Sequence, residues 1–250
     1  MDLLGGDFML FVLIGLCAQL VDGALGMAYG LVSSSILLAM GLPPAAVSAS
    51  VHTAEVFTTG VSGASHGLLG NVDRKLMVRL AIPGVIGGVI GAYVLTQLPG
   101  DAIKPFVYAY LLVLAVLILL RAIGRRIPRN EVRRVGVLGF FAGLLDAIGG
   151  GGWGPMATST LLARGGEART SIGTVSASEF VVTLAISITF LLTVGISHWQ
   201  IVLGLLAGGV IAAPLAAMLV KHLPERAVLG AVGSLVLAIS VFQISHALVA

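Results

Sequence analysis

The chain is 250 residues long and 58% hydrophobic, and its 10% charged residues are too few to coat a globule of this size, since a soluble domain carries about 25%. Its formal net charge of +3 comes from basic residues set in short gaps between apolar runs. That arrangement is a membrane-topology signal and excludes a nucleic-acid groove. The single cysteine, Cys17, excludes an internal disulfide and a cysteine-based metal motif.

The N-terminus, Met1 to Asp7, holds two acids and no Lys or Arg. It lacks the positive start of a signal peptide, so the first apolar run is expected to stay in the mature protein. Apolar segments follow at 8–40, 45–69, 75–97, 103–123, 132–163, 168–194, 199–222 and 226–248. Six of them hold about 20–27 residues, enough to cross a bilayer. The segments at 8–40 and 132–163 are too long for one simple helix. Glycine-rich breaks interrupt them, at Asp22 to Gly30 and at Asp146 to Gly154. The arms beside each break are expected to be about 10–15 residues, shorter than a span.

The two breaks belong to an internal repeat. Residues 15–59 align on 139–183 without a gap, and fourteen of the 45 pairs are identical. Shared Leu and Ala mean little in this composition. The pairs Asp22/Asp146 and Glu55/Glu179 and four glycines in register mean more. The chain therefore divides into a first repeat at 1–124, a basic cytoplasmic linker at 125–134 and a second repeat at 135–250. If each broken segment crosses once, the repeats are parallel and five of the 14 basic residues lie outside. If each dips in and returns, the repeats are inverted and only Lys104 lies outside. The positive-inside rule prefers the second topology. The expected fold is thus an all-α polytopic membrane protein of two inverted repeats, each a broken re-entrant element plus three transmembrane helices. Both termini are expected outside a bacterial inner membrane. Such repeats, with broken helices at mid-membrane, are a recurring transporter design.

Unwound backbone at membrane depth is tolerated where protein or water covers it. A helix that restarts there offers backbone N–H groups and a positive dipole end, which suit an anion. Gly26, Gly150, Gly151 and Gly152 let the backbone approach such a ligand. Tyr29 and Trp153 align and could wall the site. Small-residue packing is the alternative use of these glycines. Four acids, Asp22, Glu55, Asp146 and Glu179, fall within apolar segments. A charge at that depth costs about 2.5–3.5 kcal/mol on the lenient insertion scale. These carboxyls are therefore candidates for proton coupling. For Asp22 and Asp146, capping of the restarted helix is an equal alternative.

Ser48, His52, Glu55, Thr59, Ser62 and His66 recur at spacings of three and four and line one helix face. In the second half only Ser176, Glu179 and Thr183 repeat that face. Ser50 and Thr174 align and could coordinate an oxyanion, with His52 and Ser176 beside them. His66, His198, His222 and His246 lie near segment ends, where an interfacial position accounts for them. There is no nucleotide-binding loop, zinc spacing or nucleophile elbow, so no cofactor is expected.

The run from Ala147 to Pro155, with Gly41-Leu-Pro-Pro-Ala-Ala46, the turn Gly67 to Arg74 and the glycine-rich stretch Pro83 to Ala92, resembles the sulfite exporter TauE/SafE family of transporters. The resemblance covers nearly the whole chain. It implies proton-linked movement of sulfite or organosulfur anions such as sulfonates. The first break, Asp22 to Gly30, departs from the family's fuller glycine run, so two unequal half-sites are expected. The expectation is a secondary transporter of a small anion, not an enzyme. Its partners are the bilayer, the anion and coupling protons, with a homodimer left open. An anion channel, and an intramembrane enzyme or metal-handling protein using His52 and Glu55, are the alternatives.

Overall fold

A computed structural model describes residues 6–25, 27–124, 134–164, 166–195, 198–219 and 225–249, and all their regular structure is helical. The helices are α1 (Gly6–Leu25), α2 (Tyr29–Ala39), α3 (Pro44–Leu68), α4 (Arg74–Gln97), α5 (Gly100–Ala122), α6 (Val135–Gly149), α7 (Trp153–Ala163), α8 (Ala168–Thr193), α9 (Trp199–Leu219) and α10 (Glu225–Val249). The basic linker, apart from Arg134, lies outside the described residues, as do Gly26 and His222.

Local chemistry sets several boundaries. Extended Pro43 precedes Pro44 at the first helical position of α3, where a missing N–H costs nothing. Asp73 caps α4, its carboxylate accepting from the amides of Lys75 and Leu76. Gly150 ends α6 in the left-handed region, at φ 70°, with its N–H returned to the Asp146 carbonyl. A side chain there would oppose that conformation, which glycine adopts freely. Three of the four broken arms match expectation, with 11 residues in α2 and α7 and 15 in α6. The exception is α1, whose 20 residues make an arm about 30 Å long. Its helix stays regular up to Leu25 because Asp22 and Gly23 lie inside the last turns and do not break it.

Glycines carry the closest helix contacts. Gly139 lies on the Leu80 carbonyl, Gly143 on Gly84, and Gly91 on Leu144 and Ala147, so α4 and α6 run side by side in the same direction. Gly204 meets Phe8 and Phe11, and Gly208 meets Val12 and Leu16, so α9 and α1 pair in the same sense. Gly84 meets Val182 and Gly88 meets Ile186, which aligns α4 with α8. Opposite directions hold for α3 and α8, where Gly60 meets Phe180, Gly63 meets Ala177 and the His52 ring lies 6.4 Å from that of Phe190. They hold also for α5 and α10, where Gly124 meets Arg226 and Gly233 meets Leu119. Small residues at these crossings let backbones touch, which is how helices associate without a hydrophobic driving force.

The distribution of polarity is that of a membrane protein. Val78, Ile82, Ile86, Phe106, Val113 and Leu117 face outward, while Ser33, Ser34, Ser35, Ser48, His52 and Thr174 are fully buried. Helices spanning 74–97, 100–122 and 170–193 are long and apolar enough to cross a bilayer.

Candidate functional site

The two breaks meet. A β-carbon on Gly30 would stand 2.8 Å from the Gly151 α-carbon and 2.9 Å from the Gly150 carbonyl oxygen. Gly151 in turn lies on the backbone of Gly30 and Leu31. Only glycine allows backbones to approach this closely. The expected convergence is present, yet no space is left between Gly30 and Gly151 for a solute in this conformation.

Each break is held by its own aspartate. Asp22 Oδ1 accepts from the amides of Ala28 (2.9 Å) and Tyr29 (3.3 Å). Asp146 Oδ1 accepts from the amides of Gly152 (2.6 Å) and Trp153 (3.0 Å). The aligned acids thus perform the same task at aligned positions, closing the exposed N-terminal amides of α2 and α7 from six and seven residues upstream. Capping, one of the two roles expected for these acids, is thus seen at both breaks, and the Gly152 and Trp153 amides are engaged by a carboxylate of the protein itself. The physical reason is that a helix start in a dry interior must find acceptors, and an adjacent carboxylate also answers the positive dipole end.

His52 joins the second break to α3. Its Nε2 lies 3.2 Å from Asp146 Oδ2, and its Nδ1 lies 2.8 Å from the Ser48 carbonyl. A carbonyl only accepts, so Nδ1 carries a hydrogen. A proton must then lie between Nε2 and the carboxylate, on the imidazole or on Asp146. The His52–Asp146 pair therefore shares one proton against the break, and both side chains are buried. Ser48 Oγ donates to the Ala147 carbonyl at 2.5 Å, and Ser34 Oγ donates to the Gly150 carbonyl. Glu55 faces the first break, with Oε1 3.3 Å from where a Gly30 β-carbon would stand and the Gly30 amide directed at its carboxylate. Glu179 lies within electrostatic reach of Glu55, Asp22 and Asp146. Asp22, Glu55, Asp146, Glu179 and His52 thus gather around the paired breaks.

Other expected site residues lie elsewhere. Trp153 is fully buried, packs on Gly84 and donates its indole N–H to the Val175 carbonyl at 3.3 Å. Tyr29 donates its hydroxyl to the Leu205 carbonyl at 2.9 Å. Both rings therefore anchor helices. Ser50 and Thr174 do not face one another, because α3 and α8 run oppositely. Ser50 lies beside Val194 at one end of that pair, whereas Thr174 Oγ1 accepts from the Asp73 amide at the other end. Gly173 meets His66, 16 residues along α3 from Ser50, which separates the two hydroxyls by about 24 Å. Ser176 belongs to the Thr174 end, where its carbonyl meets Gly63.

Sequence reasoning missed three contributors. Ser34 reaches Gly150. Tyr110 presses its ring on Gly149 and its hydroxyl on Gly152, buried and without a hydrogen-bond partner. His198, expected at the interface, lines a cavity of about 200 Å³ with Ser50. A hydroxyl within the apolar runs was the available signal for the first two.

Residues 11–242 match the family described as Sulfite exporter TauE/SafE. The chain belongs to the sulfite exporter TauE/SafE family. A relative in that comparison is the Probable membrane transporter protein YtnM of Bacillus subtilis (strain 168). It is 48% identical over 221 residues, covering 84% of this chain and 74% of the relative. No solved structure matches the chain. In TauE/SafE terms, the matched stretch holds both breaks, all four clustered acids and His52.

Proposed function

We propose that the chain is a secondary transporter that carries a small anion, such as sulfite, a sulfonate or a related organosulfur anion, across the bacterial inner membrane by alternating access coupled to protons. The observation that carries this reading is the direct contact of two aspartate-capped helix breaks beneath a cluster of four carboxyls and one histidine. The family name supports sulfite as the substrate class, and the name of the Bacillus relative supports a membrane transporter.

Residues 1–124 and 135–250 form inverted repeats in this reading. Boundaries at 29–39 and 44–68 recur 124 positions later, at 153–163 and from 168. The opposite directions of α3 and α8, and of α5 and α10, support inversion, since parallel repeats would run corresponding helices the same way. Both α6 and α8 follow α4, so α7, joined to each by a short connection, turns back between them as a re-entrant arm would. The basic residues then place the linker in the cytoplasm and both termini outside.

The transported anion and the aspartates compete for the same amides. Ionised Asp146 occupies the α7 N-terminus. When the proton shared with His52 settles on Asp146, its grip on Gly152 and Trp153 loosens and an anion takes its place. A monovalent anion, such as a sulfonate or hydrogensulfite, and the proton then cross together without net charge. The contact between the breaks favours a transporter over a channel, because a continuous pore cannot pass where Gly30 and Gly151 touch. Proteoliposomes test this. An imposed proton gradient should drive sulfite or methanesulfonate uptake that saturates and shows counter-flow. Flux that rises linearly with anion and ignores the gradient would contradict it.

A further inference from the structure

We propose that the cavity at the α3 N-terminus is a separate anion-binding site at the outer mouth of the transport path, formed by the first amides of α3, the Ser50 hydroxyl and the His198 imidazole. The cavity holds about 200 Å³ and is lined by Ala45, Ala46, Ala49, Ser50, Gly195 and His198 among others. That is room for about six waters, or for one small oxyanion and part of its shell.

Three features give it anion chemistry. No side chain caps α3, and Pro44 at its first position has no N–H, so Ala45 and Ala46 present the first free amides at the positive end of a 25-residue helix. Ser50 is 1% exposed and lines the cavity, and its hydroxyl has no hydrogen-bond partner among the described residues. Its oxygen is not among the fully buried polar atoms that lack a partner, so it is reached from the cavity, where the hydroxyl can donate to an oxyanion oxygen. The described lining contains no acid. The opposing end of α8 contributes Val194 and Gly195 to the lining, and both of their amides bond the Phe190 carbonyl.

The equivalent place in the other half is filled. Thr174, aligned with Ser50, is bound to the Asp73 amide, and Asn71 packs on Gly173 while meeting His66 at 3.2 Å. One end of the α3–α8 pair is thus open and the other plugged, as a transporter resting open to one side requires. That the open end faces outward rests on the inverted topology above.

The test uses the full chain in right-side-out vesicles, with Cys17→Ser removing the native thiol and Ser50→Cys placing one in the cavity. Impermeant methanethiosulfonate reagents carrying a sulfonate or a trimethylammonium group are added outside. The anionic reagent should react about tenfold faster than the cationic one, after correction for free thiol, because the dipole end and donors favour one charge and disfavour the other. Methanesulfonate should slow it, and His198→Ala should shrink the preference. Equal rates, a cationic preference or no protection would overturn the site. Reaction only from the inner side would overturn its placement. Ala46→Cys provides the same readout if Ser50→Cys does not fold. Anion flux in Cys17→Ser vesicles is measured in parallel. Absent flux sinks the transport reading, whereas normal flux with no charge preference sinks this site alone.

Discussion

Replacing Asp146 by asparagine separates its capping role from its proton. Asp146 accepts two amides through Oδ1 and faces His52 Nε2 through Oδ2. Asparagine keeps an acceptor for both amides. Its NH2 group can donate to Nε2, which no longer needs a shared proton because Nδ1 already carries the ring hydrogen. The fold should therefore survive. Hydrogen bonds to a charged partner contribute about 1.5–3 kcal/mol and neutral ones about 0.5–1.5. The two amide bonds together thus weaken by about 2 kcal/mol. An anion competing for those amides should bind about 30-fold more tightly. Meanwhile the transferable proton is lost. In proteoliposomes, Asp146→Asn should show a lower half-saturating sulfite concentration and no response to an imposed proton gradient. Proton-driven accumulation at the wild-type level would refute both the competition and the shared proton.

Further expectations concern the same framework. Gly151→Ala should abolish the folded protein in detergent, judged by its gel-filtration profile, because the added carbon meets the Gly30 and Leu31 backbone; Gly67→Ala, with open space around it, should be neutral. Glu55→Gln with Glu179→Gln should leave anion exchange intact and remove uptake driven by the proton gradient, measured with a pH dye inside the vesicles. Phosphatase and fluorescent-protein fusions at either terminus should report an outside location for both. Gly143→Val should disrupt the α4–α6 contact, where Gly84 lies directly against it, and lower the melting temperature measured with a thiol-free reporter.

The breaks were legible because glycine, aspartate and their repetition are local signals. The pairing of Asp22 with Asp146 correctly pointed to equivalent roles, and capping was one of the two roles weighed. Their geometry then decided that both aspartates hold amides. The inverted topology expected from the charges already implied opposite directions for α3 and α8, and the pairing of Ser50 with Thr174 did not take that into account. Ser50 and Thr174 align in the repeat, and alignment suggested a shared ligand. Antiparallel packing of α3 and α8 sends them to opposite ends instead. Trp153 and Tyr29 looked like the walls of a site. Their polar atoms instead find the carbonyls of Val175 and Leu205, partners set only by tertiary packing. The length of α1 also escaped the reading, since a glycine next to an aspartate need not end a helix when neighbours support it. His198 was read from its place between segments, yet it lines one cavity with Ala45, Ala46 and Ser50 at the start of α3.

The coupling of anion to proton at the paired breaks is tested most directly by following both species at once in wild-type proteoliposomes. With sulfite equal on both sides and an acidic exterior, the account predicts that sulfite accumulates inside while the lumen acidifies in step. Lumen acidification without sulfite movement, or sulfite equilibrating passively at the same rate with and without the gradient, would contradict it.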